Sequence, residues 1–260
     1  MQKNHKPVEL VNEVKKSLLQ LADPQKANFY PRFFKTAPGQ YGEGDQFIGV
    51  TVPNTRLIVK KYKDLDFREL KELIQSPIHE ERLCALLILV EQFKNGDTKT
   101  QEKIYKFYLA NTKYINNWDL VDLSADKIVG AYLENKPKDI LFKLSKSQYL
   151  WERRIAILAT FHDIKKGEAN FTLQIVKIII SDKHDLIHKA AGWMLREAGK
   201  RCNKKILTDF LDEYSTLMPR TMLRYAIERF PETERQKYLN LKTTYNQHSK
   251  ARPWRLKVAG

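Results

Sequence analysis

His79-Glu80-Glu81-Arg82-Leu83-Cys84-Ala85-Leu86-Leu87-Ile88-Leu89-Val90-Glu91-Gln92-Phe93 decides the fold class. Its apolar residues Leu83, Ala85, Leu86, Leu89, Val90 and Phe93 recur every three to four positions, the spacing of a buried helix. The same period returns over 101–109, 118–133, 149–164, 171–180, 185–198, 206–217 and 221–230. Short breaks part these segments: Gly96-Asp97, Asn135-Lys136-Pro137, Gly167, Ser181-Asp182, Gly199, Met218-Pro219 and Pro231. Connections of about two to six residues join antiparallel neighbours in helical arrays.

No exact repeat is visible. Even so, helices of this length joined by tight turns predict an all-α fold, an α-solenoid of HEAT-like antiparallel helix pairs. Residues 31–53 are the exception. Ala37-Pro38-Gly39 and Tyr41-Gly42-Glu43-Gly44-Asp45 are turn-rich, and Phe47-Ile48-Gly49-Val50-Thr51-Val52 alternates weakly. A short loop or hairpin near 36–53 is expected between N-terminal and central helices. Nothing else marks a boundary, so one helical domain over 1–240 is predicted, followed by a basic tail at 241–260.

Composition narrows the class. The 260 residues are 42% hydrophobic and 11% aromatic with 10 Gly and 10 Pro, which excludes a disordered chain or a collagen-like fibre. The longest apolar run, Cys84 to Val90, is too short to span a membrane. Met1 to Leu10 has no apolar signal core, and Cys84 and Cys202 alone make neither a disulfide framework nor a zinc knuckle. The expectation is a soluble, cytoplasmic globular protein.

Its 46 Lys and Arg against 31 Asp and Glu give a net charge of +15, a statement about partners rather than fold. Polyanions fit, nucleic acid first. After Glu234 no acidic residue follows, whereas Arg235, Lys237, Lys242, Lys250, Arg252, Arg255 and Lys257 do. Such a tail suits either a phosphate backbone or a solvated end.

Asn116-Asn117-Trp118-Asp119-Leu120-Val121-Asp122 opens a helix, with Asn116 the expected N-cap and Asp119 at the positive end of the dipole. Trp118 and Asp122, four apart, share a face. Taken alone, the segment reads as a half-buried Trp beside a surface Asp. Two other segments shift the balance. Leu150-Trp151-Glu152-Arg153-Arg154-Ile155 sets adjacent arginines at the head of an apolar helix. In the helix that carries His188-Lys189-Ala190-Ala191-Gly192-Trp193-Met194-Leu195-Arg196-Glu197, the core stripe is Ile187, Ala191, Met194 and Ala198. Trp193 edges that stripe and aligns with Lys189, Arg196 and Lys200. A cation row with an interleaved aromatic is what backbone binding plus base or sugar stacking requires.

The order Asn-Trp-Asp-Leu-Val-Asp (117–122), Trp-Glu-Arg-Arg-Ile-Ala (151–156) and Ala-Gly-Trp-Met-Leu-Arg-Glu (191–197) resembles the AlkD-like DNA alkylation repair family of HEAT-like DNA glycosylases. The resemblance spans about 33–230. It implies that Asp122 is the catalytic carboxylate, Trp118 and Trp193 the walls against the lesion sugar, and Arg154 the phosphate contact, with Arg153 beside it as the alternative. It further implies excision of cationic N-alkylated purines such as 3-methyladenine and 7-methylguanine, without the flipped-base pocket that most base-modifying enzymes use. The expected partner is damaged or distorted double-stranded DNA, bound by a monomer with no membrane association. The chain departs from the best-studied branch in its Tyr41–Asp45 loop and in having Asp185-Leu186 where that branch carries paired aromatics upstream of the second Trp.

The chemistry is consistent with one carboxylate. A purine alkylated on a ring nitrogen is already cationic and leaves without a general acid, unlike the sugar substrates of two-carboxylate glycosidases. A fixed carboxylate at Asp122 would stabilise charge developing on the sugar and position water, and indole faces would add about 1–2 kcal/mol each. No lysine nucleophile belongs to the constellation, so hydrolysis without a Schiff base is expected, and neither metal nor cofactor is called for.

Three weaker signals remain. His184-Asp185-Leu186-Ile187-His188 imitates a two-histidine zinc helix but lacks a third ligand, so His188 is expected at the surface or near phosphate. Gly42-Glu43-Gly44-Asp45 lacks the Lys and Ser/Thr of a phosphate loop and reads as a structural turn. Met218-Pro219-Arg220-Thr221 starts a helix with Pro219 near N1, and Arg220 and Arg224 one turn apart either touch DNA or cap and solvate. Two alternatives to a glycosylase stay open: a non-catalytic HEAT-like binder of branched or distorted DNA, and a protein-interaction scaffold.

Overall fold

The computed structural model describes residues 7–242, which fall into two compact units, one up to Lys136 and one from Pro137 onward. The tail expected at 241–260 lies outside the described residues apart from Leu241 and Lys242, as do the first six residues of the segment read for a signal peptide. Every regular element among the described residues is helical. The only β pairing there is an isolated bridge between Gln46 and Ile78. No described helix is long and apolar enough to cross a membrane.

The first unit carries α1 (Pro7–Leu19), α2 (Pro24–Phe33), α3 (Val52–Lys61), α4 (Phe67–Ile74), α5 (His79–Asn95), α6 (Thr98–Ala110) and α7 (Trp118–Asp122). A 3-10 turn at Thr112–Tyr114 precedes α7, and a π-helical turn at Asp126–Gly130 follows it. The deciding segment is the centre of this unit. α5 packs against α3, α4, α6 and the π turn, and Leu86, Ile88 and Leu89 are fully buried. Its neighbour α4 starts with a capping box in which Asp66 accepts from the Glu69 backbone N–H and Glu69 returns the bond.

In the second unit the elements are α8 (Asp139–Ser145), α9 (Leu150–Ala159), α10 (Phe161–Ile164), α11 (Asn170–Ile179), α12 (Asp185–Arg201), α13 (Lys204–Tyr214), α14 (Arg220–Ala226) and α15 (Glu232–Leu239). Here α12 is central, touching α9, α11, α13 and α14. The stripe Ile187, Ala191, Met194 and Ala198 is fully buried, as its spacing predicts. Gly192 lets α12 approach α14: a Cβ there would meet the Met222 carbonyl oxygen and stand 2.6 Å from the Tyr225 Cβ.

The periodic segments are helical, with breaks the period does not show. The segment 118–133 is not one helix, because α7 ends at Asp122 and the chain widens into the π turn. There Ser124 Oγ bonds the Leu120 carbonyl at 2.5 Å and competes with the helical ladder. Thr160 similarly parts α9 from α10, its hydroxyl donating to the Ile157 carbonyl at 2.7 Å. Pro219 is the N-cap of α14 rather than its first helical residue. Of the two expectations for 36–53, the loop is observed.

Candidate active site

Helix α7 has five residues, too few to be stable by itself, so its surroundings must hold it. Its N-cap is Asn117, not Asn116: the Asn117 side-chain oxygen accepts from the Trp118 N–H at 2.9 Å. Asn116 is instead turned toward Asp45, whose Oδ1 accepts from Asn116 Nδ2 at 3.3 Å. Asn117 Nδ2 donates to the other Asp45 oxygen at 3.2 Å. Trp118 opens the helix and Asp122 closes it, and both are half-buried.

Trp118 lies against aromatics of the preceding segment. Its ring stacks on Phe34 with centroids 5.3 Å apart at 17°, and Phe33 meets it edge-on at 5.8 Å. Phe34 in turn stacks on Phe47 at 4.9 Å. Phe33 and Phe29, stacked on each other on α2, are exposed at 49% and 56%. An aromatic surface therefore runs from solvent on α2 to the indole of α7.

Beneath this surface is a buried charge cluster. Asp45 Oδ1 accepts from the Arg82 guanidinium at 2.6 Å. His79 bridges two carboxylates, Nδ1 to Asp45 at 3.2 Å and Nε2 to Asp119 at 2.8 Å. Burial disfavours charge on His79, but the Asp119 carboxylate and the Asp45 hydrogen bond outweigh it and raise the imidazole to about 9. Burial would likewise raise Asp45, yet the His79 hydrogen bond and the Arg82 charge hold it below the ordinary carboxylate value. Glu80, also buried, accepts from the N–H groups of Ile48, Gly49 and Val50 and fixes the far end of the loop. Gly49 adopts φ +84°, where a side chain would collide with the Asp23 carbonyl. Residues 41–44 form a turn, as read for Gly42–Asp45, and the Asp45 carboxylate is paired internally with Arg82 and His79.

Sequence reasoning did not single out Asp45, His79 or Phe34. His79 lies 34 residues from Asp45 and 40 from Asp119, so no local spacing links them.

The remaining candidates are in the second unit. Arg154 is buried on α9 and donates to the Leu186 carbonyl at 2.5 Å. Arg153, half-buried, pairs with Asp182 at 2.6 Å and donates to the Ser147 and Gln148 carbonyls. Trp193 is half-buried on α12 with the Phe161 ring 5.8 Å away. Lys189 pairs with Asp185 at 2.6 Å, Arg196 pairs with Glu228 and Glu197, and Lys200 is exposed. Arg220 donates to the Leu239 carbonyl at 2.8 Å, and Arg224 is exposed.

His188 is not at the surface. It is buried, with Nε2 donating to the Asp182 carbonyl at 2.6 Å, and His184 Nδ1 caps α12 by accepting from the Leu186 N–H. The two histidines are thus committed to structure. Among the described residues no group of three or more His, Cys, Asp or Glu is placed to hold a metal ion.

Comparison with solved structures finds a "Predicted DNA alkylation repair enzyme from Enterococcus faecalis", with a TM-score of 0.62 and 15% sequence identity over 81% of this chain and 97% of that one. At that identity the likeness is one of fold. No curated protein matches the sequence. Residues 14–230 match the sequence model of the family described as DNA alkylation repair enzyme, so the chain belongs to that family and its role lies in DNA repair.

Proposed function

We propose that the protein is a monofunctional DNA glycosylase that hydrolyses the N-glycosidic bond of cationic N-alkylated purines, 3-methyladenine and 7-methylguanine, in duplex DNA. The observation that carries this reading is the pairing of Trp118 and Asp122 at the two ends of a short helix that its neighbours clamp in place.

On this reading the lesion sugar sits against the Trp118 indole with Asp122 near its anomeric carbon. The bond from C1′ to the purine nitrogen breaks, and its electron pair neutralises the cationic ring, so no acid is needed. The oxocarbenium-like sugar is stabilised by the Asp122 carboxylate and the indole face. A water oxygen adds to C1′, and its proton passes to Asp122. Trp193 and Arg154 of the second unit are proposed to contact sugar and phosphate, with Arg153, Lys189, Arg196, Lys200, Arg220 and Arg224 as further phosphate contacts. Arg154, Arg153, Lys189, Arg196 and Arg220 would first have to exchange present partners, the Leu186 carbonyl, Asp182, Asp185, Glu228 with Glu197, and the Leu239 carbonyl, for phosphate oxygens. The +15 charge supports a polyanionic partner.

The test is incubation with methylated duplex DNA followed by chromatography of the released bases. Free 3-methyladenine or 7-methylguanine above the spontaneous rate is expected. Salt-sensitive binding to distorted DNA with no release would instead fit the non-catalytic reading.

A further inference from the structure

Both ring nitrogens of His79 face carboxylate oxygens, Asp45 at 3.2 Å and Asp119 at 2.8 Å. A neutral imidazole carries one N–H and could satisfy only one of them, leaving two acceptors opposed in a buried setting. The imidazolium donates to both. Charge balance points the same way. The groups facing the ring are Asp45 from the loop, Asp119 from α7 and Arg82 from its own helix, so two buried anions meet two cations only when His79 is protonated. Glu80, the next residue on α5, is taken up by the N–H groups of residues 48–50. Phe47 and Phe34 cover the ring at 4.7 and 5.0 Å, and their π faces favour a cation.

Two of the segments that meet here are weak by themselves. α7 is one turn and a half long, and the loop over 34–51 has no ladder of its own. Asp119 lies one residue after Trp118 and three before Asp122, and its other oxygen accepts from the Leu120 N–H. The His79–Asp119 bond therefore acts on the backbone that carries both candidate residues.

We infer that His79, as an imidazolium bridging Asp45 and Asp119, is a positioning residue: it bolts α7 to the 34–51 loop and so sets where Trp118 and Asp122 stand. Its chemical consequence rests on the glycosylase reading, whereas its structural consequence does not.

The variants are His79→Gln and the double variant His79→Gln with Asp119→Asn, which restores charge balance and keeps a folded sample if the single variant fails to fold. The first readout is the Trp118 indole N–H resonance, assigned with Trp118→Phe and followed from pH 6 to 10. The second is single-turnover release of 7-methylguanine at saturating enzyme, with duplex affinity measured in parallel. Wild type is expected to show a step in the Trp118 resonance with a midpoint near pH 9, absent from both variants. Release by folded variant should slow by about 10-fold to 100-fold, with affinity changed less than about threefold, as misplacement of a reacting group would produce. A role in stability alone would lower the melting temperature without moving either readout below it, and that result overturns the inference. If wild type releases no base, the glycosylase reading fails, and the Trp118 titration decides this one: a step near pH 9 supports it and a flat trace refutes it.

Discussion

The Phe34 ring stacks on the Trp118 indole at 5.3 Å and 17°, joining the loop after α2 to the helix that ends at Asp122. Phe34 is buried and also stacks on Phe47, so it is the hub of the aromatic surface. Phe34→Ala removes both stacks and leaves a cavity. A loss of about 3–5 kcal/mol is expected in urea unfolding, together with weakened protection of the α7 amides in hydrogen exchange. A loss below about 1 kcal/mol would mean that Trp118 is held by something else.

Gly192 permits the close crossing of α12 and α14. In Gly192→Ala the new methyl meets the Met222 carbonyl and the Tyr225 Cβ, both on a helix that cannot move aside cheaply. A loss of about 1–3 kcal/mol is expected, the range for overpacking. Ala is the better helix former, so an unchanged or raised melting temperature would show that the helices separate freely.

Stability should fall on the alkaline side through His79. Its imidazole is raised in the folded state, from 6.5 to about 9, so the native state holds the proton more tightly than the unfolded chain. The stabilisation is fully present below pH 6.5 and is lost as pH rises to about 9, on the order of 3 kcal/mol in all. Urea titrations at pH 6, 8 and 9.5 on wild type and His79→Gln check this. The difference between the two proteins should shrink across that window, and a constant difference would contradict it.

Much of this architecture was legible in the sequence where burial is one-sided. α12 repeats apolar residues along one stripe, and its helix and core face follow from spacing alone. α2 escaped, because none of its residues is buried and Phe29 and Phe33 are exposed, so no periodic stripe announces it. The start of α5 shows a different limit. His79, Glu80, Glu81 and Arg82 are residue types of a solvated turn, yet all four are buried. His79 is met by Asp45 and Asp119, Glu80 by the N–H groups of 48–50, and Arg82 by Asp45 and the Ser76 and Pro77 carbonyls. Trp118 and Asp122 are candidates by resemblance, and what the sequence made legible of them is their shared helical segment. The frame that fixes them was not legible, since Asp45, His79 and Asp119 meet only through the fold.

The central claim is that the Asp122 carboxylate promotes loss of an alkylated base. The most direct measurement is single-turnover release of 7-methylguanine from duplex DNA by wild type and Asp122→Asn, with DNA affinity measured on the same samples. The isosteric amide keeps the shape and removes the charge. Release at least about 100-fold slower is expected in the variant, approaching the spontaneous rate, as for loss of one preorganised electrostatic group, with affinity within about threefold of wild type. Equal release by the two proteins would contradict it, as would a wild type that releases no base above the spontaneous rate.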